Sequence, residues 1–434
     1  MRIHSAVFIV AHLNSLLNVA DCFSSLRSGS PKDLSSSILD GLRNTSARSK
    51  LLHLETDFYD QSTGLYSEGV WHNALAGIAH LRNNQPADRI ANSLFQHSWD
   101  GCSFRRRCWS GNWDHSTIES EKPPEQANYY RESSEHRCVQ HGMALIFWSQ
   151  LLSDCEADQD GNNNMLKYRE QQKQVADSFF SEFYDPSVQR FTTISKEQGG
   201  GSILRPSASA AKQTPGASEA SPYYRAVDQA IAVLACLEHL RVLERKTESD
   251  ATKKEQDMVI DLVQTTCHQI MSPDGFGYVN IEQAKSYIGL KRNRNFWHDG
   301  FSFLALIQAR RYLWPSDTNH GEAQLLIMWK DLMDKYGNDS DSTANISRDS
   351  TIWHWPRKSK TDSSNVRYCG DNALAFAIRR NLDIERSPDN NEDFFRFIGD
   401  LQKENDRNLA SVADAYPQVR LHPNTELAAL LVWP

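Results

Sequence analysis

What this sequence has little of excludes several kinds of protein. Its 434 residues contain eight cysteines, and none of them forms a CxxC pair or a Cys/His zinc spacing. Basic residues do not prevail. Lys and Arg number 47 against 55 Asp and Glu, a net charge of −8, and their scatter leaves no electrostatic footprint for a nucleic-acid partner. Beyond the first twenty residues no apolar run is long enough to span a bilayer, so the mature chain carries no membrane span. Strand signals are confined to short pieces such as Arg190–Ile194. No nucleotide or metal motif occurs, so the sequence implies neither a cofactor nor a metal. What is present, 39% hydrophobic and 24% charged residues, describes a soluble globular protein of one large domain or two ordinary ones.

The amino terminus predicts targeting. Arg2 precedes an apolar run from Ala6 to Val19, and Ala20-Asp21-Cys22 offers a small-x-small cleavage pattern. Residues 1–22 therefore read as a secretory signal peptide, with secretion or an endomembrane compartment as the destination. Residues 23–34 read as a flexible segment. Phe23 to Lys32 lacks acids and is rich in Ser and basic residues, which resembles the bipartite targeting sequences of algae with secondary plastids and gives a plastid as the alternative. Asn44, Asn338 and Asn345 head sequons, usable on a secretory route. Cys102 and Cys108 share a loop and could pair in an oxidising compartment.

The informative signal is a degenerate repeat. Six segments each place a polar residue ahead of a run of small and large apolar residues, led by His72, His141, Asp228, Asp299, Asp371 and Glu426 at intervals of 55 to 87 residues. Each run is apolar on nearly all sides, which predicts a helix enclosed all round. Between them, residues 35–58, 86–99, 163–184, 248–271, 321–337 and 391–408 carry apolar residues at i, i+3, i+4 spacing on one face and charge on the other. The chain is thus all-α, with amphipathic and buried helices alternating, six of each. Common helical solenoids repeat every 34–47 residues or so, so these longer, uneven units favour a ring with the buried helices inside. Connections leaving the buried helices are short, whereas 101–134, 185–222, 272–295 and 338–366, which lead into them, are long. The long connections must gather at one end, where function usually sits.

Six such helix pairs resemble the (α/α)6 barrel of the six-hairpin glycosidase superfamily. The likeness extends to an aspartate-bearing turn followed by an aromatic ahead of a buried helix, as in Phe58-Tyr59-Asp60 to Gly64-Leu65-Tyr66, Phe183-Tyr184-Asp185 to Phe191, and Ser272 to Tyr278. It also covers Val227-Asp228-Gln229. The resemblance implies one toroidal domain over 35–434, with a low-complexity insertion at about 196–221, acting on carbohydrate.

Glycoside hydrolysis needs two carboxyl groups flanking the scissile bond, about 6.5–9.5 Å apart for inversion. Asp228, Asp299, Asp371 and Glu426 head successive buried helices, whose axes would lie about 8–10 Å apart. Asp299, between Trp297 and Phe301, suits the acid; Asp371 or Asp228 suits the base, with Glu68 in reserve. Each of these acids could equally be an ordinary helix cap. Histidines offer a rival. His72, His141 and His298 stand at the same level and could move a proton beside a carbonyl, which resembles the N-acylglucosamine 2-epimerase group. Trp71, Trp297, Tyr368, Arg225, Arg367 and Glu426 would contact sugar in either reading, since flat rings suit the apolar faces of sugars. A non-catalytic sugar-binding or interaction protein on the same scaffold is the third reading.

Overall fold

A computed structural model describes residues 30–44, 59–61, 63–66, 69–106, 135–157, 164–197, 225–246, 249–270, 296–313, 325, 328–329, 332, 367–382, 415–416 and 424–433. Residues 1–22, Glu68, the hairpin at 272–278, the amphipathic stretch 391–408 and most of 196–221 lie outside this set. The described helices are α1 (Pro31–Asn44), α2 (Val70–Arg82), α3 (Asp88–Ser98), α4 (Cys138–Ala157), α5 (Asn164–Phe183), α6 (Ala226–Glu244), α7 (Asp250–Ile270), α8 (Phe296–Leu313), α9 (Cys369–Leu382) and α10 (Asn424–Leu431). Two antiparallel pairs complete the elements: β1 (Tyr184–Asp185) with β2 (Arg190–Phe191), and β3 (Arg367–Tyr368) with β4 (Ala415–Tyr416).

The six apolar helices close a circle. In order of contact α2 meets α4, α4 meets α6, α6 meets α8, α8 meets α9, α9 meets α10, and α10 returns to α2. Small residues allow this approach: a Cβ on Gly77 of α2 would run into the Phe147 ring of α4. Amphipathic helices wrap the outside. α1 covers α10 and α2, α3 lies on α2, α5 on α4, and α7 on α6 and α8. Their chemistry matches their position. In α7 the buried residues Val259, Leu262, Val263, Thr266, Cys267 and Ile270 form one stripe, whereas α6 is buried on every face. Each enclosed Leu or Val contributes about 1.5–3 kcal/mol of transfer free energy. At the fifth outer position Trp329 and Leu332 are buried, and the Trp329 ring stacks on Phe303 of α8. The architecture is therefore the all-α (α/α)6 toroid. No described helix is long and apolar enough to cross a membrane.

Closure does not depend on a long final helix, although α10 is the shortest of the six inner ones. Ser35 of α1 donates to the Ala428 carbonyl of α10 at 2.8 Å and accepts from Asn83, just past α2, at 2.9 Å. One hydroxyl thus joins the first outer helix to the last and first inner ones. α1 itself begins at Pro31, so helix reaches four residues ahead of position 35. The cause is local. Asp33 accepts from the Ser30 backbone N–H and the Ser30 hydroxyl accepts from the Asp33 N–H, a reciprocal cap with proline at the first helical position.

Candidate functional site

The turns that lead into the inner helices fix the rim. In the first, the Asp60 N–H bonds the Leu65 carbonyl at 2.8 Å, the Gly64 N–H bonds the Asp60 carbonyl at 2.7 Å, and Thr63 donates to the Asp60 carboxylate. Gly64 sits at φ 79, a conformation that suits glycine. The aromatic that follows is then gripped by an amide of the next inner helix. The Tyr66 N–H donates to Asn73 Oδ1 at 2.7 Å. In the third unit the Phe191 N–H donates to Gln229 Oε1 at 2.9 Å, while Gln229 Nε2 donates back to the Phe191 carbonyl at 2.6 Å. Asn73 and Gln229 each follow an aligned polar residue, so the same device sets the height of two helices.

Aromatic rings cross the barrel axis. Trp71 of α2 lies 5.5 Å from Trp297 and 5.8 Å from Phe301, both on α8, the helix opposite in the ring. These three rings form a floor. Trp297 donates its indole N–H to Glu426 Oε1 at 2.9 Å. The other oxygen of Glu426 lies against Gly370 of α9, where a Cβ would come within 2.5 Å of it. The His298 ring is 5.4 Å from that of Trp297. His72, Trp297, His298 and Glu426 are half-buried. Phe301 was not among the residues singled out in the sequence; its signal is the i, i+4 relation to Trp297. Gly370 was visible only as part of the repeat.

The three aspartates are placed otherwise. Asp228, Asp299 and Asp371 are each 0% exposed. The Asp228 carboxylate receives both guanidinium arms of Arg225 at 2.8 Å and the Thr193 hydroxyl at 2.5 Å. It ties the start of α6 to the segment after β2. Asp299 and Asp371 sit in the first turns of α8 and α9, where the helix dipole favours a negative charge. Arg225 is half-buried beside Asp228 and committed to it. Arg367 and Tyr368 form β3, and their side chains lie outside the described set, as does Glu68.

His141 is also not in the basin. Its ring is wedged between α4 and α5, with Nε2 2.9 Å from the Val175 carbonyl and Nδ1 2.8 Å from the Ser103 hydroxyl. A carbonyl only accepts, so Nε2 carries the proton and Nδ1 receives the hydroxyl. Phe179 stacks on it and Phe104 and Phe183 edge it. Burial pushes its pKa down to about 4, and the ring stays neutral in a wall of the barrel. Cys102 holds no disulfide, and Cys108 lies outside the described residues. Among the described residues, metal-ligating side chains gather outside the basin, at Asp100, Cys102 and His136.

No protein-family model and no curated protein sequence matches the chain. In structure it is similar to D-mannose isomerase, with a TM-score of 0.55 and 9% identity over 92% of this chain and 96% of that one. A family 76 glycoside hydrolase from a bovine Bacteroides thetaiotaomicron strain aligns with a TM-score of 0.44 and 10% identity, over 94% of this chain and 78% of that one. The first likeness is one of fold.

Proposed function

We propose that this chain is a carbohydrate-active enzyme that rearranges a free sugar, as an aldose–ketose isomerase or an epimerase, with His298 and His72 moving the proton. The observation that carries this reading is the division of polar groups at the rim. The imidazoles of His72 and His298 and the carboxylate of Glu426 are half-buried, with His298 and Glu426 both against Trp297, whereas the carboxylates of Asp228, Asp299 and Asp371 are enclosed. Isomerisation takes a proton from the carbon beside a carbonyl, passes through an enediol, and returns a proton to the neighbouring carbon; epimerisation returns it to the opposite face. An imidazole, with an ordinary pKa near 6.5, serves as base in one half and acid in the other. The half-buried Trp297 ring offers a flat surface for the sugar's C–H face, and Glu426, steadied by the Trp297 N–H, offers a carboxylate to its hydroxyls. The structural neighbour with the TM-score of 0.55 is a sugar isomerase, which agrees with the class.

The test is incubation of the purified chain with free aldoses in deuterated water, followed by NMR. Solvent deuterium should enter the product, and His298→Ala should slow the exchange by about 100-fold or more. Product free of solvent deuterium, or an unchanged rate in His298→Ala, would remove the proposal. Glycoside hydrolysis is the second reading, favoured by the half-buried Glu426 carboxylate seated between Trp297 and Gly370. Release of reducing sugar from a glycoside, lost in Glu426→Gln, Asp371→Asn or Asp299→Asn variants of normal stability, would install it instead. Saturable sugar binding with no product over long incubation would leave a binding protein.

A further inference from the structure

Outside the basin, on the outer margin of the same rim, four side chains of mixed chemistry converge from three separate stretches of chain. The first stretch is a tight turn after α3. Trp99 and Phe104 pair across it, Gly101 takes φ 103, and the Asp100 carboxylate accepts the N–H groups of Cys102 and Ser103 at 3.2 and 3.0 Å. This turn presents the Asp100 carboxylate and the Cys102 thiol on one side. The second is His136, two residues ahead of α4, held by pairing with Arg105 and by the Ser195 N–H on its carbonyl. The third is Glu197, which follows β2 and is held at its own N–H by Glu182.

The contacts among them are close. His136 Nε2 is 2.6 Å from Asp100 Oδ2. Cys102 Sγ is 2.9 Å from Glu197 Oε2 and 3.2 Å from Asp100 Oδ1. A thiol has one proton and two carboxylate oxygens compete for it. Among the described residues, the Arg105 guanidinium stands 3.6 Å from the Asp100 carboxylate. The imidazole is 3% exposed, while Glu197 closes the cluster from the solvent side.

We infer that Cys102, His136, Asp100 and Glu197 form a zinc-binding site. The ligand atoms of Asp100, Cys102 and His136 all lie within 4.8 Å of one another. Zinc bonds of about 2.0–2.3 Å put tetrahedral ligands about 3–4 Å apart, so side-chain adjustment alone closes these three. Glu197, with Oε2 2.9 Å from Cys102 Sγ and 3.9 Å from His136 Nδ1, completes four by swinging its exposed side chain. One thiolate, one imidazole and carboxylate oxygens suit Zn²⁺, whereas Ca²⁺ and Mg²⁺ prefer oxygen alone. His136 fits the second-shell rule as well. With Nε2 on the metal, Nδ1–H faces the Ser195 hydroxyl at 3.4 Å. Zinc would replace the thiol proton, which leaves to solvent, and would neutralise the converging carboxylates. Such a site fastens the turn after α3, the approach to α4 and the stretch after β2, which are the roots of two long rim connections. Its role is structural, and it stands independently of the sugar chemistry.

The experiment uses the full chain, stripped with a chelator and then given Zn²⁺ or Co²⁺ alone. Competition against a chromophoric chelator should give one Zn²⁺ per chain, and Co²⁺ should produce a thiolate charge-transfer band. Cys102→Ser should abolish the band and weaken Zn²⁺ by at least about 100-fold, while Cys155→Ser leaves both unchanged. Zn²⁺ should raise the Tm of the wild type and not that of Cys102→Ser. Glu197→Ala alters a side chain that is 60% exposed, so it spares the fold and should weaken Zn²⁺ at least about tenfold. A wild type with no cobalt–thiolate band, a band that persists in Cys102→Ser, or Zn²⁺ affinity unmoved by Glu197→Ala would overturn the inference.

Discussion

His80 and His141 show how much a single enclosed imidazole contributes. His80 Nδ1 donates to the Pro86 carbonyl, leaving Nε2 to accept from Tyr66 and Arg43, each at 2.9 Å. Burial, then the Arg43 charge, lowers its pKa to about 4, where burial also puts His141. Both rings ordinarily titrate near 6.5 once unfolded. Between pH 6.5 and 4 the unfolded chain therefore binds protons that the folded chain refuses, and stability falls as pH drops through that window. The slope reaches about 1.4 kcal/mol per pH unit for each ring. Urea unfolding at pH 7 and pH 5 should show this loss, and His141→Gln, though less stable at pH 7, should show a smaller one. An equal difference in that variant would mean His141 carries no part of it. Asp228→Asn belongs to the same class. Weakening its pairing with Arg225 leaves a half-buried guanidinium short of its partner, at a cost of about 1–3 kcal/mol, and the Tm should fall accordingly.

Between elements, the closest constraint is the seat of Glu426 on α9. Gly370→Ala would put a methyl within 2.5 Å of that carboxylate and push it off the Trp297 N–H. The expected result is altered tryptophan fluorescence and loss of turnover with the helical circular dichroism kept. Full activity would show that the contact does not position Glu426. Much at this scale was readable in advance. The one-sided stripes of α3, α5 and α7 marked outer helices and the repeat marked the inner ones, whereas the segment 23–34, expected to be flexible, already holds the start of α1 at Pro31. The direction of individual side chains was not. A helix that is apolar all round has no periodicity to say which face meets the axis, so His141 and His72 look equivalent by alignment although one is wholly enclosed in a wall and the other half-buried. The Cys102, His136 and Glu197 cluster was hidden for another reason. Its members are far apart in sequence with no fixed ligand spacing, and a turn at Gly101 brings them together.

Across the molecule, the ring makes the first and last helices interdependent. Ser35 alone spans 393 residues to reach Ala428. Ser35→Ala removes that bond and leaves Asn83 short of an acceptor, which should cost about 1–3 kcal/mol. The deficit should appear as one shifted thermal transition, because inner helices that depend on both neighbours unfold together. Two separated transitions would contradict this cooperativity. Deletion of residues 1–44 would strip Ile38, Leu39 and Leu42 from the surface of α10 and α2, and the product should aggregate, whereas deletion of residues 1–29 should not.

The meeting of Trp71 with Trp297 and Phe301 across the axis also decides the direction of traffic. Rings that meet in the middle of the toroid block passage along its axis. A sugar bound above them, as proposed, would leave by the side it entered, and a polymer could not be threaded past them.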